Sequence, residues 1–346
     1  MRYHRLIAAR VLQVALASLL GDCSNPSSQA LSLTSLQPRT IARDRQPRAV
    51  RAPQRLVARE EWLPGPTRTR LRPMMRRPAD VFVSDAENGV VDGYDQKSGD
   101  LVEQLTGFQL PQGIATDGAG NLYVADTDAM AIFVFPPGAT TPSRTLTDSG
   151  WYPTDVAVSS KGEVAVTNSH STSGGPGSVV FYKRGQTQPF NTVIAGPLLF
   201  LQTFWFCAYD AHGDLFADGG AGPARVVEVA HGGAGHSFKD LGIINIEWAG
   251  GIVIDGGGDI LVDDQLQFAI FRYWRNRPTP IGETELLGSS DPVTFALTPN
   301  EDFLYDADAD LAETSEFAFP PGGEPLSSIE VGGEPIGVAF APRARP

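Results

Sequence analysis

Six oxygen-bearing residues recur at one place in a repeating string. Asp85, Asp126, Asn168, Asp218, Asp264 and Asp306 each stand at or near the end of a short apolar run. Oxygen ligands drawn from several such runs suit Ca²⁺, which takes six to eight oxygens. Aromatic residues stand just before or at the start of neighbouring runs: Trp151 and Tyr152, Phe204 and Trp205, and Trp248 after Glu247. Glu334 precedes the last run. Ring faces of this kind stack on a sugar or another flat ligand. The same residues also have a plainer chemistry. An Asp at a strand end accepts backbone N–H bonds and forms turns, and a Trp wedges between packed units. The residues that break the pattern are Asn168, His170 and the doubled Asp263-Asp264. The candidates for a ligand-binding mouth are Asp85, Asp126, Asn168, His170, Asp264, Asp306, Trp151, Trp205 and Trp248, and Asn168, Asp264 and Glu334 are the metal candidates.

The elements that carry these residues are short strands. In the stretch 111–147, GIAT, LYVAD, AIFVF and SRTLT are β-rich runs separated by Asp-Gly-Ala-Gly and Pro-Pro-Gly turns, where Gly supplies positive φ and Pro presets φ. The unit recurs from Pro111, Pro153, Phe204, Ala249, Pro292 and Pro335, at spacings of 42, 51, 45, 43 and 43 residues. The last copy, PIGVAFAP, has one strand. The segment 79–105 has the second, third and fourth strands and lacks a first. Four strands per 40–50 residues make a β-propeller. Five full units and one split unit predict an all-β, six-bladed ring of four-stranded antiparallel blades, closed by pairing the C-terminal strand with the first N-terminal strands. In such a meander the starts of first strands and the ends of second strands gather around one mouth of the central channel.

The charge is uneven. Residues 1–80 carry 15 Arg, no Lys and 5 acids, whereas residues 81–346 balance to −23. An acidic body excludes a phosphate-binding surface, so no nucleic-acid partner is expected. Two cysteines, Cys23 and Cys207, make neither a disulfide framework nor a zinc knuckle. HGGAGH, residues 231–236, reads as a turn. Residues 1–23 have the basic-then-apolar layout of a secretory signal, and Leu20-Gly21-Asp22-Cys23 resembles a lipoprotein cleavage box, with Asp22 where a small residue is usual. Lipidation of Cys23 and simple removal of the signal are both open. Residues 24–78 are Arg- and Pro-rich, read as a disordered linker, and residues 79–346 form the propeller. An exported, periplasmic, surface-tethered or secreted monomer is expected, touching a membrane only through lipid.

The motif G-I-A-x-D-x-x-G-N-L-Y-V-A-D resembles the NHL repeat of six-bladed propellers, over about residues 79–341; Thr127-Asp128-Ala129-Met130 departs from the usual pair after the Asp. That resemblance implies the propeller fold and a binding or scaffold module for a protein, glycan or small ligand. The wider group also includes gluconolactonase-like hydrolases and lyases. For those it implies a divalent metal held by Glu, Asn and Asp from different blades, which Glu334, Asn168 and Asp264 loosely match. No cofactor is fixed by the sequence; Ca²⁺ is the one that the oxygen-rich mouth suits. The histidines of the zinc lyases and a Gly-x-Ser-x-Gly elbow are absent from the sequence.

Overall fold

The computed structural model describes residues 79–196, 201–220 and 224–342. The secretory signal, Cys23 and the linker lie outside the described residues.

Six antiparallel sheets form around one axis. Blade 1 joins Pro335–Pro342 to Ala79–Asp85, Val90–Asp95 and Leu101–Thr106, so its first strand comes from the far end of the chain. The closing pair runs from Ala79↔Pro342 to Asp85↔Pro335. Blade 2 is Pro111–Thr116, Leu122–Asp126, Ala131–Phe135 and Arg144–Thr147. Blade 3 is Trp151–Val158, Val164–Ser171, Pro176–Tyr182 and Asn191–Ile194. Blade 4 is Phe204–Tyr209, Leu215–Gly219, Arg225–Val229 and Phe238–Asp240. Blade 5 is Ala249–Ile254, Ile260–Asp264, Ala269–Tyr273 and Gly282–Leu286. Blade 6 is Pro292–Leu297, Phe303–Asp308, Glu313–Ala318 and Ser327–Glu330. Gly322–Gly323, from a loop of blade 6, adds a short parallel strand to the rim of blade 5.

The second strands are buried on both faces because each lies between two neighbouring blades; Leu122–Asp126 is buried at every residue. Rim strands such as Leu101–Thr106 are mostly exposed and alternate less strictly. The core is six apolar clusters, one per seam between blades. Leu261 and Ile270 of blade 5 meet Phe295, Leu304 and Phe317 of blade 6. Val81, Val83 and Val338 of blade 1 meet Tyr305 and Ala307 of blade 6. Burial of each such side chain stabilises by about 1.5–3 kcal/mol, and the ring form leaves no blade with an uncovered face.

The first strands pack tightly at their third residue. Gly113, Gly251 and Gly337 occupy this level in blades 2, 5 and 1. A Cβ at Gly113 would lie 2.6 Å from Asp155 Cα, at Gly251 2.9 Å from Thr294 Cα, and at Gly337 2.5 Å from Gln112 O. Glycine therefore lets the inner backbones touch. Below this waist the first strands enclose a cavity of about 430 Å³, which runs to Thr116, Tyr209 and Thr298 at the other end of the ring.

Candidate functional site

At the opposite end from Thr116 and Thr298, the second strands finish and the first strands begin. The ladder aligns this mouth: Asp85↔Pro335, Asp126↔Pro111, Asn168↔Pro153, Asp264↔Ala249 and Asp308↔Pro292. Asp308, not Asp306, takes the final position in blade 6. The hairpin before it is longer than in blade 2, with Leu297 pairing with Leu304 where Thr116 pairs with Leu122, and the run FLYDAD extends two residues beyond Asp306. In blade 4 the position is Gly219, opposite Phe204, and Asp218 lies one step further in. There the capping work passes to Thr203, whose Oγ bonds both the N–H and the carbonyl of Gly220.

The carboxylates at the aligned position are engaged by their own loops. Asp126 accepts the N–H groups of Gln109, Leu110 and Ala129. Asp264 accepts those of Glu247, Trp248 and Leu266, and the Gln267 amide. Asp308 accepts those of Ser290, Asp291 and Leu311. Asp85 accepts those of Asn88 and Glu334. Each clamp fastens the loop that enters a first strand to the turn that leaves a second strand, and charge-assisted bonds of this kind are strong.

Asn168 differs. Its Nδ2 donates to Ser178 Oγ at 3.2 Å, and its buried Oδ1 has no partner. Nearby, buried Asp148 accepts the Tyr182 hydroxyl at 3.2 Å, and burial pushes its carboxyl up to about 7. Glu334 is also buried, with Oε1 unpartnered. Asn168, Asp264 and Glu334 stand on blades 3, 5 and 1. Both oxygens of Asp264 are taken by amides, so these three do not fit a shared metal. Among the described residues, no three His, Cys, Asp or Glu side chains gather as a ready metal site.

The aromatic candidates remain open to solvent in part. Trp151 and Trp205 pack one side against seam clusters. Trp248 is 39% exposed. Trp205 and Trp248 flank one crevice with Gly219, Gly220, Ala224 and Ala249 between blades 4 and 5. On blade 3, Tyr152 stacks on His170 with ring centres 4.6 Å apart, and burial lowers the His170 pKa. The structure thus gathers Trp205 and Trp248 at one seam and Tyr152 with His170 on blade 3.

Other polar side chains have structural employment. His231 and His236 bond the carbonyls of Gly213 and Thr192 at 2.8 Å each. Arg272 pairs with Asp255 and Asp259, and Arg275 with Asp210, Asp214 and Glu228. Cys207 is a buried free thiol, raised in pKa by burial and then by Asp155. Asp155 was not singled out in the sequence. It lines the cavity, accepts the Cys207 N–H at 2.9 Å, and is pushed up to about 7 by burial. Its signal is an Asp inside a first strand, PTDVAV, where the neighbouring copies carry Gly113 or Gly251.

Among the described residues no helix is long and apolar enough to cross a membrane. An NHL repeat is matched at residues 108–135, which span the end of the blade 1–blade 2 connection and three strands of blade 2. No curated protein matches the sequence. Among solved structures, one from a nidogen/laminin complex aligns with a TM-score of 0.62 and 12% identity, covering 77% of this chain and 100% of that one. A protein of unknown function from Bacteroides caccae aligns with a TM-score of 0.59 and 10% identity, covering 76% of this chain and 99% of that one. The chain is a six-bladed β-propeller that carries an NHL repeat at residues 108–135.

Proposed function

We propose that the protein is an exported binding scaffold that holds a protein partner on the face bearing Trp151, Trp205 and Trp248. The observation that carries this reading is the division of labour at that mouth. The carboxylates Asp126, Asp264 and Asp308 serve backbone amides, while tryptophan rings remain accessible around them. Aromatic residues dominate binding hot spots because they bury a large rigid surface. A solved neighbour of the fold comes from a nidogen/laminin complex, itself a protein–protein assembly. The acidic body favours a partner with a basic surface.

Chemical cross-linking of the full chain in its native extract, read by mass spectrometry, tests this. Partner peptides should link beside Trp205 and Trp248, and the Trp205→Ala/Trp248→Ala double variant should lose them while melting normally. Links confined to the rim strands would contradict the reading. So would a glycan array that retains the wild type and no protein. Metal-dependent lactone or ester turnover that Asn168→Ala abolishes would favour the gluconolactonase-like alternative instead.

A further inference from the structure

Blades 5 and 6 meet across a seam that contains two fully buried carboxyl groups, Asp263 and Asp306. The levels follow from the ladder. Asp263 is one step inside the clamp Asp264, at the position of Ser84 in blade 1 and Ala125 in blade 2. Asp306 pairs with Phe295, and so stands where blades 2 and 5 have Val124 and Val262. Their directions converge. Leu261, of the same strand parity as Asp263, packs on blade 6, and Leu304 and Phe295, on the face of Asp306, pack on blade 5. Both carboxyl groups therefore enter the same gap.

Neither is satisfied there. Asp263 is 0% exposed and neither of its oxygens has a hydrogen-bond partner. Asp306 is also 0% exposed, with Oδ1 orphaned and Oδ2 touching Ser289 Oγ at 3.3 Å. The equivalent group in blade 1 shows what a satisfied position looks like. Ser84 Oγ donates to Gln112 O of blade 2 at 2.5 Å and accepts the Gly337 N–H at 2.8 Å. In the blade 5 seam the matching carbonyl is Val293 O, an acceptor, facing another acceptor. Both oxygens close on Gly250, whose missing side chain lets them approach its backbone. A Cβ on Gly250 would lie 2.7 Å from Val293 O and nearer still to Asp263 Oδ2. Asp291 and Asp308 add negative charge around Asp263, and the described ion pairs of Arg225, Arg272 and Arg275 all lie with other acids.

We propose that this seam binds a divalent cation of the Ca²⁺ type, held by Asp263 and Asp306 with the Val293 carbonyl, beside Gly250. Buried anionic oxygens without donors require compensation. Two carboxylates and a main-chain oxygen are hard ligands, and water completes the six to eight oxygens Ca²⁺ takes. With two carboxylates in the shell, the affinity falls in the weak range of extracellular modules, about 10⁻⁴–10⁻³ M. The ion bridges a first strand and two second strands, so it fastens blade 5 to blade 6. This site is separate from the tryptophan crevice and does not depend on what binds there.

The test is a melt of the full chain, freed of metal with chelator, in 0 to 10 mM CaCl₂, beside equilibrium dialysis with radioactive Ca²⁺. Wild-type protein should bind one ion and rise by about 3–10 °C at 10 mM Ca²⁺. Asp263→Asn, Asp306→Asn and Gly250→Ala should each lose the ion and the rise. Asp263→Ser, which places the hydroxyl found in blade 1, keeps the seam folded if the amide variant fails and should also lose the ion. No bound Ca²⁺ in the wild type, with Asp263→Asn melting higher than wild type at pH 8, would overturn the proposal and assign the seam a retained proton. Unaltered Ca²⁺ binding in Asp263→Ser and Gly250→Ala would overturn it as well.

Discussion

A carboxylate at the end of a strand has two lives, and its partners decide which it leads. Asp126 accepts three backbone N–H groups. Its removal leaves them without a partner beside a buried strand end, so Asp126→Ala should cost about 2–3 kcal/mol in urea unfolding. Asn168 and Asp148 lead the other life. Asp148 is 2% exposed and raised to about 7 by burial, with Tyr182 and Asn168 pulling the other way. A raised carboxyl binds its proton more tightly folded than unfolded. Its contribution to stability is therefore fully present below about pH 4 and lost as pH rises to about 7. Asp155 adds the same sign over the same window. Asp148→Asn should flatten the fall in urea midpoint between pH 4 and 7, and an unchanged slope would show that Asp148 is ionised in the folded protein.

At the scale of elements, first strands set the bore and seams set the stability. Gly113 stands where a Cβ would lie 2.6 Å from Asp155 Cα. Backbone cannot yield cheaply, so Gly113→Ala should destabilise by about 1–3 kcal/mol through overpacking, measured by thermal melting. Between blades 4 and 5, Arg275 reaches Asp210, Asp214 and Glu228 and covers the Phe216 ring at 5.1 Å. A lysine has one compact charge in place of a planar fork. Arg275→Lys should thus lower the melting temperature about as much as Arg275→Ala, whereas full rescue by lysine would reduce the network to simple charge.

The ring of blades was legible in the sequence because a repeat declares itself through turn chemistry. Asp-Gly pairs, Pro at strand starts and a 42–51 residue spacing give six blades and the split closure, and the closing ladder Ala79↔Pro342 to Asp85↔Pro335 bears this out. The site was less legible. Asp126 and Asp263 look alike in a string, yet one faces amides and the other a seam that offers it no donor. Seam partners such as Asp263 and Asp306 are a full repeat apart, so no local pattern joins them. The misplaced Asp306 has a similar cause: a hairpin longer than that of blade 2 carries the strand end past it to Asp308 without altering the look of the run. Closure itself can be tested. Removal of residues 335–346 strips blade 1 of its first strand and exposes the Val81 and Phe82 faces. The truncated chain should lose its cooperative melt, and a sharp transition would mean that five blades hold together alone.

The central claim is that carboxylates build this mouth and tryptophans use it, and one paired comparison tests it most directly. Stability and affinity for the cross-linked partner are measured for Asp264→Ala and for Trp205→Ala/Trp248→Ala. The account predicts that Asp264→Ala loses about 2 kcal/mol of stability while its folded fraction binds as wild type, and that the double tryptophan variant melts near wild type and binds at least tenfold more weakly. The reverse pattern, a stable Asp264→Ala that no longer binds beside a tryptophan variant that still does, would contradict it.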